Sequence, residues 1–147
     1  MSGGLNIIVR LLHVASAQHQ LAKDAVDKLR VAKDKLCLVP QNFYEFRSVV
    51  TRPISVNGLG FTAARAQKEV TGLKGAFDLL QETPAFFPEW ERLVGLHAII
   101  GKNAHDSRLV AAMMVHGITH LLTFNQQDFQ RFTNITVLTP ADVMAMP

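Results

Sequence analysis

Ala104-His105-Asp106-Ser107-Arg108-Leu109-Val110-Ala111-Ala112-Met113-Met114, followed by Leu121-Leu122-Thr123-Phe124-Asn125-Gln126-Gln127-Asp128-Phe129, carries the strongest pattern in the chain. An acid opens an apolar helix; a short buried strand follows, ending in Thr-x-Asn, with an Asp just past the next turn. In an α/β fold the helix start and the strand's carboxyl end lie side by side at one rim of the sheet, where ligands and metals bind. Two acids and an amide gathered there would suit a hard, oxygen-seeking cation such as Mg²⁺.

Outward from that stretch, short apolar strands alternate with longer helices, which predicts a parallel sheet covered on both faces. Gln18 to Lys33 is amphipathic, with Leu21, Ala25, Leu29 and Ala32 at helical spacing among charged residues. Lys35 to Val39 reads as a buried strand. Pro40 starts a helix over Gln41 to Thr51, whose Phe43, Phe46, Val49 and Val50 share a face. Thr62 is a good N-cap for a helix from Ala63 to about Phe77, and Phe77 to Leu80 is a short edge strand. A further helix opens at Pro88-Glu89-Trp90 and reaches His97. Gly117 closes the Asp106 helix, and strands follow at His120 to Phe124 and Thr136 to Leu138, with a helical turn at Asp128 to Phe132 between them. The segment Leu5-Asn6-Ile7-Ile8-Val9-Arg10-Leu11-Leu12 is ambiguous. Its apolar spacing fits a helical face, and its β-branched run suits a strand.

A chain of 147 residues without repeat or linker reads as one domain spanning residues 1–147. No apolar run is long enough to cross a bilayer, and no signal peptide is visible, so no membrane role is expected. The single cysteine, Cys37, lies in an apolar run and permits no intrachain disulfide, in keeping with a reducing cytoplasm. A net charge of +3 leans weakly toward an anionic partner. There is no zinc-type Cys/His spacing, no G-x-S-x-G elbow, no Walker A loop and no G-x-G-x-x-G.

The candidates for chemistry are Glu45, Asp106, Asn125 and Asp128, each just after an expected strand or at a helix start. Each has an ordinary explanation, since first-turn acids are favoured by the helix dipole and Asn and Asp by turns and caps. Their shared placement at one rim is what gives them weight.

At these residues the chain resembles the PIN domains, specifically the VapC-type toxins of bacterial toxin–antitoxin pairs. The matching segments are Asn6 with Ile7 to Leu12, Val39-Pro40-Gln41-Asn42-Phe43-Tyr44-Glu45-Phe46, Ala104 to Leu109, and Leu122-Thr123-Phe124-Asn125 with Asp128-Phe129. The resemblance implies a three-layer α/β/α sandwich with a mainly parallel sheet, and an endoribonuclease that cleaves RNA with Mg²⁺ or Mn²⁺. It implies Glu45 and Asp106 as metal-site acids and Asn125 or Asp128 at a variable fourth position. It also implies an antitoxin partner.

One departure stands out. In this family the first strand ends in an Asp two residues before the Asn matched by Asn6, and here that position is Gly4, preceded only by Met1-Ser2-Gly3. The alignment therefore implies that the first strand is missing or truncated, that Leu5 to Leu12 is the first helix, and that nuclease activity is impaired. The alternative is a catalytically inactive module that binds RNA or antitoxin. Phe86, Phe87, Trp90, Leu93 and Leu96 would then cover a groove for an antitoxin peptide or for a second copy of the chain, as a homodimer.

Overall fold

The computed structural model describes residues 5–10 and 16–147. Five parallel strands form one sheet in the order β3-β2-β1-β4-β5: β1 (Asn6–Val9), β2 (Lys35–Leu38), β3 (Asp78–Leu79), β4 (His120–Leu122) and β5 (Thr136–Leu138). The helices are α1 (Ser16–Val31), α2 (Pro40–Thr51), α3 (Ala63–Ala76), α4 (Phe86–Leu96), α5 (Asn103–His116) and the short α6 (Pro140–Met144). The sheet lies between two helical layers, as the α/β/α expectation required.

The first strand is present, and this corrects the expectation of a missing one. β1 is the central strand: Ile7 faces Leu36 of β2 on one side and His120 of β4 on the other. A parallel ladder buried on both faces favours a continuous β-branched run, and Ile7-Ile8-Val9 supplies it. A helix over Leu5 to Leu12 would have turned part of that run away from the sheet. Gly4, Leu11 and Leu12 lie outside the described residues.

Alternation along the strands divides the core into two. Ile8, Cys37 and Leu121 point to one face and pack with Leu109, Val110 and Met113 of α5 and Leu93 of α4. Ile7, Val9, Leu36, Leu38 and Leu122 point to the other face, against Ala25 and Leu29 of α1 and Val143 of α6. Several helix ends follow the sequence signals. Pro40 occupies the first turn of α2, Thr62 accepts the Arg65 amide at the start of α3, and Gly117 takes φ +69° to end α5. The short α6 was not expected from the sequence, although Thr139 and Asp142 form a reciprocal capping box at its start.

Because Ile8 is fully buried at the centre of the sheet, Ile8→Ala is expected to lower stability by about 2–5 kcal/mol. The exposed Asn6→Ala in the same strand should change it by less than about 0.5 kcal/mol. Urea unfolding followed by circular dichroism checks both. Equal midpoints for the two variants would mean that β1 is not the core strand.

Candidate functional site at the carboxyl rim

The carboxyl ends of β1, β2 and β4 and the start of α5 meet at one rim. Arg10 directly follows β1, and its amide continues the ladder by donating to the Leu122 carbonyl at 2.9 Å. Its side chain is 9 % exposed. Nη2 donates to Asp106 Oδ1 at 3.0 Å, Nη1 lies 3.7 Å from Asp128 Oδ2, and Cζ stands 5.3 Å from the centre of the Phe129 ring. A guanidinium thus sits between two carboxylates and over an aromatic face, all of which favour a cation.

Asp106 reaches this position from the first turn of α5. That end of the helix is fixed from outside by Trp90 of α4, whose Nε1 donates to the Ala104 carbonyl at 2.8 Å. Asp128 comes from the 3₁₀ turn Gln126–Phe129, anchored by fully buried Phe129. Glu45 approaches from α2. Buried Gln41 uses its Nε2 to bridge Glu45 Oε1 at 2.7 Å and the His105 carbonyl at 3.0 Å. Glu45 is therefore tied to the start of α5 and makes no ion pair with Arg10. Asn125 is exposed and lines a surface crevice with Asp128 and Thr139. Its backbone N–H donates to the Thr123 hydroxyl at 3.1 Å.

No family model and no curated protein matches the chain. Solved structures do. A chain of the DNA-bound VapBC from Salmonella typhimurium superposes with TM-score 0.62 at 12 % identity, over 93 % of this chain and 99 % of its own. A chain of Rickettsia felis VapBC2, bound to a DNA fragment from its promoter, gives TM-score 0.63 at 11 % identity, over 92 % and 98 %. A chain of VapBC-1 from nontypeable Haemophilus influenzae gives 0.61 at 15 %, over 94 % and 99 %. This is the VapC-type PIN fold. The likeness runs along nearly the whole chain.

β1 ends at Val9, so the residue that follows the central strand is Arg10. Among the described residues, no three His, Cys, Asp or Glu side chains come close enough together to hold a metal ion. The donor set as folded, two carboxylates around a buried guanidinium, does not fit Mg²⁺, which needs nearly octahedral oxygen ligation. Sequence reasoning missed Arg10 and Gln41 as rim residues. The available signal for Arg10 was a lone charge directly after a β-branched apolar run.

The groove residues separate. Leu93 is core, Phe86 and Trp90 are half-buried against it, and Phe87 and Leu96 are 60 % and 67 % exposed. Of the basic residues near the rim, Lys102 lies close enough to act on Asp106, whereas Arg108 turns to Glu82 at 3.4 Å.

Burial pushes the Asp106 carboxyl above its ordinary value of 3.8, with Arg10 opposing that rise and Asp128 adding to it. The folded state then holds this proton more tightly than the unfolded chain. Stability accordingly falls as pH rises from the unfolded to the folded midpoint, and the loss is complete above the folded midpoint. Carbon-detected NMR titration of Asp106 should give a midpoint above 3.8, and higher again in Arg10→Met. A midpoint unmoved by that substitution would contradict the Arg10–Asp106 contact.

Proposed function

We propose that the chain is the toxin-type component of a toxin–antitoxin pair, a cytoplasmic PIN protein that engages RNA and a small antitoxin at its carboxyl rim. Its ribonuclease chemistry is impaired relative to a full acid cluster. The observation that carries this reading is the buried Arg10 guanidinium between Asp106 and Asp128, set in a fold similar over 93 % of the chain to a chain of a VapBC complex. In this reading the impairment comes from the cation at the end of β1.

The residues around the pair suit binding. Lys102 and His105 lie at the amino end of α5, where the helix dipole adds to their attraction for a phosphate. Exposed Phe87 and Leu96 on α4 offer apolar area for a protein partner. Catalysis is less well provided for. An activated water needs a free carboxylate or a metal beside it, and Asp106 is engaged by Arg10.

A second reading is Mg²⁺- or Mn²⁺-dependent endoribonuclease activity, favoured by the meeting of Asp106 and Asp128 at the rim. Incubation of the purified chain with RNA and Mg²⁺ separates the two. The proposed function predicts cleavage at background level, unchanged by Asp106→Asn, together with co-purification of the product of a neighbouring gene. Mg²⁺-dependent cleavage that Asp106→Asn abolishes would establish the second reading. Absence of any co-purifying partner would count against the first.

A further inference from the structure

The rim has the acids of a cation site and already contains a cation. We propose that Arg10 is the constitutive occupant of that cation position, closing the site to divalent metal, and that removing the guanidinium opens it. The inference rests on reading the rim as the site of a PIN-type protein, and it adds what governs that site.

Three observations support it. First, Arg10 is held by its backbone. It is the residue after the central strand, hydrogen-bonded to Leu122 at 2.9 Å and preceded by Val9, which is 5 % exposed. The side chain therefore starts from a fixed point at the rim. Second, the head group is matched on three sides, by Asp106 at 3.0 Å, Asp128 at 3.7 Å and the Phe129 ring at 5.3 Å. The planar guanidinium hydrogen-bonds Asp106 through Nη2 and places its remaining charge near Asp128 and the ring face, while Nε and Nη1 are buried without a hydrogen-bond partner. Third, a divalent ion bridging the same carboxylates would lie within a few ångströms of the guanidinium. Like charges at such separations in a partly buried site repel strongly. Glu45 is held by Gln41 through Oε1 and makes no ion pair with Arg10.

The test uses Mn²⁺ alone with the full-length chain, read by electron paramagnetic resonance of the free ion and by paramagnetic broadening of backbone amides. The wild-type chain should show no saturable binding up to millimolar Mn²⁺. Arg10→Asn should gain binding, with broadening centred on Asp106 and Asp128. Arg10→Asp, which adds a third carboxylate, should bind on the order of tenfold or more tightly than Arg10→Asn. If Arg10→Asp unfolds through repulsion among its acids, Mn²⁺ should refold it, as measured by circular dichroism. Saturable wild-type binding with broadening at Asp106 would overturn the proposal. So would a folded Arg10→Asn that binds no better than wild type. Neither result depends on an antitoxin, so a failure here is distinguishable from failure of the proposed function.

Discussion

The Arg10 guanidinium is buried at the end of the central strand, 3.0 Å from Asp106, and leaving such a charge without its partner costs about 3–5 kcal/mol. That requirement constrains everything around it. Asp106 must arrive from the first turn of α5, so α5 must start where Trp90 pins the Ala104 carbonyl. The turn after β4 must place Asp128 and Phe129 on the remaining sides. The rim is thus organised by an internal ion pair where a metal-centred site would be organised by its ion.

The pair also sets the electrostatic character of the rim. With the guanidinium counted, Asp106 and Asp128 leave one negative charge rather than two, and Lys102 and His105 stand nearby on α5. A site so balanced attracts a metal ion less than bare carboxylates would and repels a phosphate backbone less. Binding of RNA or of a protein partner is compatible with this balance. Hydrolysis by a metal-activated water is poorly served by it.

Most of the architecture was legible because it depends on local chemistry. Pro40, Thr62 and Gly117 punctuate helices for reasons of backbone geometry, and the structure uses all three as the sequence implied. Asp106 at a helix start and Asp128 after a strand were likewise readable. The first strand was not, because Ile7, Ile8, Leu11 and Leu12 satisfy a helical spacing as well as a strand does. Only the neighbours β2 and β4 decide between them, and pairing across the chain carries no local signature. The resemblance assigned the segment to a helix, and Arg10 was not read as a rim residue. Gln41 was missed for a similar reason, since it reaches the His105 carbonyl across 64 residues of sequence.

The most direct test of this account is a double-mutant cycle on Arg10→Met and Asp106→Asn, with stability measured by urea unfolding. If the ion pair organises the rim, each single variant leaves its partner uncompensated and the double variant loses less than their sum. The expected coupling is about 1–3 kcal/mol. Additivity within about 0.5 kcal/mol would mean that Arg10 and Asp106 do not depend on each other, and would contradict the account.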